Sequence, residues 1–237
     1  MKISGFIPSV GLAAFAFALG GCDTQAQEYQ SEVRELGGFT AIDAGGGVDV
    51  LVRQGSEFRV EITDGDPADL ITEVRGDTLE IHPRGGLGGL FGSWGGGHEV
   101  SVTLPVIEGL RAGGGSDLSV DGEVSGDRLY VASSGGSDVE LRVAVGSLEV
   151  EVSGGSDVDL SGTAESAMLH ASGGSDLDGS GFAAREASVE SSGGSDIVVS
   201  VEERLSGSAS GGSDIVYSGN PGTVDVDTSG GSDIARR

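Results

Sequence analysis

The acidic residues that could do chemistry in this chain recur at regular intervals. The string Gly-Gly-Ser-Asp occurs seven times, and successive aspartates of this string are 21, 19, 19, 20, 18 and 19 residues apart. These aspartates are Asp117, Asp138, Asp157, Asp176, Asp196, Asp214 and Asp233. Carboxylate oxygens are the ligands that Ca²⁺ prefers, and six to eight oxygens surround that ion. The chemistry that this pattern allows is cation binding at a repeated acidic surface.

The spacing also indicates which elements position the aspartates. A repeat near 19 residues that is rich in Gly, Ser and Val is typical of one coil of a parallel β-solenoid. In the repeat around Asp157, the apolar Val152 and Val158 share even positions with Ser156, and alternate residues of a strand share a face. The pattern predicts an inward column of serines, which bond to one another or to the backbone where two glycines permit a bend, and an outward column of aspartates.

The outward aspartates have two interpretations. Neighbours about 4.8 Å apart repel by about 0.9 kcal/mol in water, so the column has to be hydrated, hydrogen-bonded or neutralised. In the first interpretation each carboxylate accepts backbone N–H groups at the turn and keeps the solenoid soluble. In the second, carboxylates of adjacent coils bind Ca²⁺ with further oxygens from Asp159, Asp178, Ser119 or Glu140. The shorter Gly-Gly-x-Gly-x-Asp repeat of calcium-binding β-rolls is not present.

Composition excludes several classes of protein. Gly accounts for 45 of 237 residues, against a usual share of roughly 7 per cent, which argues against a helical protein. The formal net charge is −25, so binding of nucleic acid through a basic patch is excluded. Cations and hydroxyl-rich ligands such as glycans are the partners that suit such a chain.

The N-terminal segment predicts the cellular location. Lys2 precedes an apolar run of ten residues from Val10 to Leu19, which is too short for a membrane span of roughly twenty residues. The sequence Leu19-Gly20-Gly21-Cys22 resembles a bacterial lipobox, which implies a signal peptide over 1–21 and a lipid on Cys22 that contacts the membrane. The alternative is an ordinary secretory signal followed by a free thiol. We expect a lipid-anchored protein of the cell envelope, facing the periplasm or the cell surface, with the leaflet left open.

The remaining chain divides into three parts. Residues 22–35 are polar without alternation and predict a tether. Residues 36–110 predict irregular β coils with strands over Val48–Val52, Phe58–Ile62, Leu79–Ile81 and Val100–Leu104. Asp49 lies where a degenerate first repeat would place its aspartate. Residues 111–237 hold the repeats, and 36–237 is expected to form one continuous domain.

A glycine-rich segment interrupts the N-terminal half. Residues 84–97 carry the apolar Leu87, Leu90, Phe91 and Trp94 without alternation. This segment either folds back to cap the open end of the solenoid or forms a loop for recognition or membrane contact.

The sequence predicts no catalytic residue. His82, His98 and His170 lie in different parts of the chain without the spacing of metal ligands, and no Gly-x-Ser-x-Gly elbow joins a strand to a helix.

The order of motifs resembles a known family. Gly38-Phe39-Thr40-Ala41-Ile42-Asp43, the later Gly76-Asp77-Thr78-Leu79-Glu80-Ile81 and the serial Ser-Gly-Gly-Ser-Asp motifs are similar to the head GIN domain of auto-transporter adhesins. The resemblance implies an all-β, right-handed parallel β-helix or β-solenoid in a secreted or lipid-anchored bacterial protein. It supplies no catalytic residues.

The function predicted from these features is that of a non-enzymatic, lipid-anchored envelope protein. Its acidic face would serve adhesion or the binding of glycans or other envelope proteins, with Ca²⁺ as the one cofactor considered. A Ca²⁺-dependent enzyme of the polysaccharide-lyase type is the first alternative, with Arg142 as its base. An envelope-stress or regulatory module that acts through another protein is the second.

Overall fold

The computed structural model describes residues 31–85 and 97–237. Within these residues it contains 17 strands, all joined in one sheet, and one 3₁₀ helix, η1 (Pro67–Asp69). The strands are β1 (Glu32–Arg34), β2 (Ala41–Gly45), β3 (Val48–Gln54), β4 (Arg59–Asp64), β5 (Leu70–Arg75), β6 (Thr78–Pro83), β7 (His98–Leu104), β8 (Gly109–Gly113), β9 (Leu118–Val120), β10 (Val124–Ser134), β11 (Asp138–Ser153), β12 (Asp157–Ser172), β13 (Asp176–Ser192), β14 (Asp196–Ser210), β15 (Asp214–Gly219), β16 (Thr223–Thr228) and β17 (Asp233–Arg236).

The repeats form stacked parallel coils. Strands β10 to β14 pair with one another in parallel, and their Gly-Gly-Ser turns lie in register. The first part of β14 pairs with β15 and the second part with β16, so each long strand contains two runs separated by a bend. The predicted all-β solenoid with coils of about 19 residues is confirmed.

Small aliphatic side chains fill the interior. Successive coils place Val150, Leu169 and Val189 in register, and each is buried. The two largest buried side chains are Phe39 and Phe182. Because each coil buries its apolar residues against the coils beside it, the core extends along the solenoid as columns of similar residues.

The predicted inward serines also form a column. The seven serines of the repeats are buried, and each hydroxyl accepts backbone N–H groups from the coil before it. Ser156 Oγ, for example, accepts from the amides of Gly136 and Ser137 at 3.0 and 3.1 Å. The serines therefore satisfy turn amides of the preceding coil instead of bonding to one another. The column consists of Ser116, Ser137, Ser156, Ser175, Ser195, Ser213 and Ser232.

The paired glycines form the turn between coils. Gly154 and Gly155 have φ values of +73° and +72°, which side chains rarely adopt. A Cβ on Gly154 would also approach the amide nitrogen of Gly135 to 3.1 Å, whereas a Cβ on Gly155 would meet nothing within 4 Å. The first glycine is needed for both conformation and space, and the second for conformation alone.

Changes in coil length are absorbed at the bend. The interval from Asp176 to Asp196 is one residue longer than the two before it, and the next is two residues shorter. The pairing register shifts between Asp159 and Ser161 in one strand pair and between Asp178 and Ala183 in the following pair. Such bulges leave the turns and the aspartates in register despite the unequal intervals.

The N-terminal half contains the four predicted strands, now β3, β4, β6 and β7, and adds antiparallel pairs. Strand β4 runs antiparallel to β7, and β5 forms a hairpin with β6. Strand β1 pairs antiparallel with β4, so three residues of the predicted tether, Glu32–Arg34, belong to the sheet. None of the helices in the described residues is long and apolar enough to cross a membrane.

Candidate functional site

The seven repeat aspartates form one exposed column, called here the Asp column. Register pairs join Asp138 to Asp157, Asp157 to Asp176 and Asp176 to Asp196, and the series continues through Asp214 to Asp233. Asp117 extends it at the other end, because Leu118 pairs with Val139. All seven side chains are exposed, whereas the residue that follows each of the first six is buried.

The Asp column continues into the irregular half of the chain. Val50 pairs with Leu118, which places Asp49 beside Asp117, and Asp49 itself pairs with Glu99. Gly46 and Gly47 before Asp49 have φ values of +76° and +78°, as the glycines of a regular turn do. The sequence placed Asp49 correctly because its Gly-Gly-Val-Asp keeps the glycines and aspartate of the repeat.

The carboxylates of the column take part in turn hydrogen bonds at three positions. Oδ1 of Asp117, Asp196 and Asp214 accepts the backbone N–H of the next aspartate along the column, at 3.4, 3.1 and 3.2 Å. The amides of Asp157 and Asp176 donate instead to the carbonyl oxygens of Ser137 and Ser156. Part of the column thus has the turn chemistry expected of Asx side chains.

A second row of carboxylates lies beside the middle of the Asp column. Glu140, Asp159 and Asp178 occupy paired positions two residues after the aspartates of their coils. A shallow groove of about 350 Å³ is lined by both rows, including Asp138 and Asp157. Burial raises the pKa of Asp159 above its ordinary value of 3.8, and the charges of Asp178 and Glu140 raise it further.

Basic side chains do not neutralise the Asp column. Among the described residues, no Lys, Arg or His nitrogen lies within 4.0 Å of a carboxylate oxygen of the seven aspartates. Arg142 borders an adjoining groove of about 270 Å³ with Asp159 and Asp178, but its Nε donates to Glu123 at 3.0 Å. The groove therefore presents negative charge to solvent, and its nearest guanidinium already has a carboxylate partner.

Several predicted functional residues lie outside the described part of the chain. These are the lipidation residue Cys22 and the loop residues Leu87, Leu90, Phe91 and Trp94. Their roles stay predictions.

The structure also brings together a cluster that the sequence reasoning missed. Potential ligand atoms of Glu73, Glu80 and His82 all lie within 4.8 Å of one another, on the hairpin of β5 and β6. The sequence search tested His–His spacings, and this cluster has a single histidine. The signal that could have found it is Glu-x-His on one strand, two residues after a turn that places a second glutamate opposite.

Three solved structures share this fold. A putative adhesin from Bacteroides fragilis matches with a TM-score of 0.80 and 22% identity over 88% of this chain and 96% of that one. A putative adhesin from Parabacteroides distasonis matches with a TM-score of 0.70 and 18% identity over 88% and 96% of the two chains. A putative lipid binding protein from the same species matches with a TM-score of 0.66 and 17% identity over the same shares. At such identities the likeness shows the fold alone.

A comparison with curated proteins gives no match. A family model described as "Putative auto-transporter adhesin, head GIN domain" matches residues 38–221, which include the N-terminal strands and most of the repeat coils. The match covers more than half of the chain and agrees with the resemblance carried by its motifs. This protein therefore belongs to the head GIN domain family of auto-transporter adhesins.

Proposed function

We propose that this protein is a non-enzymatic, lipid-anchored adhesin of the bacterial envelope that binds ligands through the Asp column. The observation that carries the proposal is the column itself: seven exposed carboxylates in register on consecutive coils, without a basic partner among the described residues. Family membership supports an adhesin-like role at the cell surface or envelope. The parallel coils supply a stiff support, because every strand is paired along its length with its neighbours.

Glycans are the ligand class that suits this surface, with Ca²⁺ as the bridging ion. Among the described residues, no three carboxylates of the column bring oxygens within 4.8 Å of one another. An ion held by two neighbouring coils would therefore keep most of its six to eight positions open. Sugar hydroxyl groups can fill such positions, which would couple glycan binding to Ca²⁺.

The decisive experiment compares two triple variants on a glycan array with millimolar Ca²⁺ or with chelator. Asp138→Asn, Asp157→Asn and Asp176→Asn together remove three adjacent charges of the column. The control carries Glu149→Gln, Glu186→Gln and Glu202→Gln, which changes the net charge equally at residues outside the column that make no described ion pair.

We expect the control to retain Ca²⁺-dependent binding and the Asp variant to lose it. Equal retention by both variants would remove the Asp column from the proposal. Ca²⁺ titration by calorimetry separates the two interpretations of the column. The absence of both heat and a change in melting temperature would leave the aspartates as turn and solubility residues.

Lipid anchoring is tested on Cys22. We expect the protein to partition into the detergent phase of a bacterial lysate, and the Cys22→Ser variant to move to the aqueous phase. An unchanged distribution of the variant would contradict the anchor without affecting the proposal for the Asp column.

The lyase alternative loses support from the contacts of Arg142. A guanidinium that already donates to Glu123 is poorly placed to act as a base. Incubation with acidic polysaccharides and Ca²⁺ is expected to give no unsaturated product, which an absorbance assay would detect. The alternative of a regulatory module differs in its partner, which would be an envelope protein recovered by crosslinking in cells.

A further inference from the structure

We propose that Glu73, Glu80 and His82 bind one divalent transition-metal ion of the Zn²⁺ class on the outer face of the β5–β6 hairpin. This site is separate from the Asp column in position and in ligand type. It does not depend on the proposed adhesive function.

The hairpin turn fixes the geometry of the three side chains. Arg75 pairs with Thr78 across the two-residue turn Gly76–Asp77, and this register places Glu73 directly opposite Glu80. Glu80 and His82 lie two residues apart on β6, so they share a strand face, while the intervening Ile81 is buried. All three side chains are half-buried. The ligand atoms converge within 4.8 Å before any ion is present.

The imidazole has a contact that orients it as a metal ligand. His82 Nδ1 lies 3.2 Å from the carbonyl oxygen of Pro83. A carbonyl can only accept, so Nδ1 carries the proton in the neutral ring and Nε2 keeps a free lone pair. Pro83 is itself packed closely, since a Cβ on Gly46 would lie 2.9 Å from Pro83 Cδ. A backbone carbonyl behind a histidine is a common second partner in metal sites.

The charges around the hairpin favour a cation. Two glutamates directly opposite each other on antiparallel strands repel, and Asp43 of β2 pairs with Glu80 from the other side. Arg75 now bridges the glutamates, with Nη1 2.9 Å from Glu80 Oε2, but its side chain is 63% exposed. Burial raises the pKa of Asp43, and the charge of Glu80 raises it further. A divalent ion would neutralise the carboxylates more fully than this exposed guanidinium.

The ligand set selects the class of ion. One imidazole nitrogen and two carboxylates suit Zn²⁺ and its neighbours among the first-row metals, whereas Ca²⁺ requires a shell of oxygens. Three protein ligands leave at least one position for water or an external ligand. Binding requires a deprotonated imidazole, so the affinity should fall as the solution becomes acidic.

The test measures Zn²⁺ binding by calorimetry and Co²⁺ binding by visible absorption, on the full chain carrying Cys22→Ser to remove the single thiol. We expect one equivalent of either ion to bind, and His82→Gln to weaken binding at least about tenfold, the lower end of the loss caused by removing even a secondary partner. The matched control is His170→Gln. His170 also lies beside a glutamate, with Nδ1 3.3 Å from Glu190 Oε2, but it lacks a second converging carboxylate.

A second variant tests the role of charge. Arg75→Gln removes the guanidinium that occupies the space between the glutamates, so it should strengthen Zn²⁺ binding severalfold. The proposal is overturned if the parent protein shows no saturable binding, if His82→Gln binds as tightly as His170→Gln, or if Arg75→Gln fails to strengthen binding. Urea midpoints measured in chelator verify that the variants remain folded.

Discussion

At the scale of single residues, the two glycines of each turn have different requirements. Gly154→Ala introduces a side chain at positive φ and also places it 3.1 Å from a backbone nitrogen that cannot move freely. Gly155→Ala introduces only the backbone strain, about 1–2 kcal/mol. We predict that Gly154→Ala lowers the urea midpoint clearly more than Gly155→Ala. Gly155→Asn should lose less than Gly155→Ala, because Asn tolerates positive φ.

Equal midpoints for the two alanine variants would contradict the close approach between coils. A deeper loss at Gly155 would mean that the second glycine, and not the first, limits the spacing of the turns.

The raised pKa of Asp159 also gives a residue-scale prediction. A carboxyl group whose pKa is higher in the folded protein than in the unfolded chain destabilises the fold when it is charged. Asp159→Asn should therefore raise the melting temperature at pH 7 in chelator. The gain should shrink as the pH falls through the folded pKa, and it should vanish below 3.8, where both states are protonated.

The control for this prediction is Asp227→Asn, an exposed aspartate on β16 with no resolved pKa shift. A gain at Asp159 that persists at low pH would assign the effect to packing, and no gain would contradict the electrostatic cause.

At the scale of the elements, the serine column joins each coil to the one before it. Ser156→Ala removes the acceptor of two turn amides, those of Gly136 and Ser137, and the amide of Ser137 is buried. An unsatisfied buried donor costs about 1–3 kcal/mol, so we predict a lower unfolding free energy of that size. Ser166→Ala, at an exposed serine of the same coil, should change it little. Equal effects would show that Ser156 acts only by filling space.

The extent to which sequence predicted the elements depends on repetition. The Gly-Gly-Ser-Asp string fixed the register of the coils, because each copy must form the same turn, and parity then assigned Ser156 inward and Asp157 outward. The antiparallel strands β1 and β5 lie outside the repeats, so nothing in the period indicated their pairing. The cluster of Glu73, Glu80 and His82 depends on that unpredicted hairpin, which explains why it was missed.

At the scale of the whole molecule, charge works against the compact state. The net charge is −25, and the Asp column concentrates part of it on one surface. Self-repulsion of this kind is screened by salt, whose Debye length falls from about 30 Å at 0.01 M to about 8 Å at 0.15 M. We predict a melting temperature that rises with NaCl over this range in the presence of chelator. A triple Asp→Asn variant of the column should start higher and rise less.

A melting temperature that does not change with salt would contradict this account. The solenoid would then hold its charges far enough apart, or well enough hydrated, for repulsion to be negligible.

The serine column gives the molecule a direction. Each serine hydroxyl serves the coil that was synthesised before its own, and never the one after it. As the chain emerges from its N-terminal side, every new coil completes the turn of its predecessor, so a growing protein has one incomplete turn however many coils it has already formed. Inserting or deleting a whole coil leaves that number unchanged. The fold can therefore lengthen or shorten by gene duplication and loss in units of one repeat, without new residues being invented at the joins.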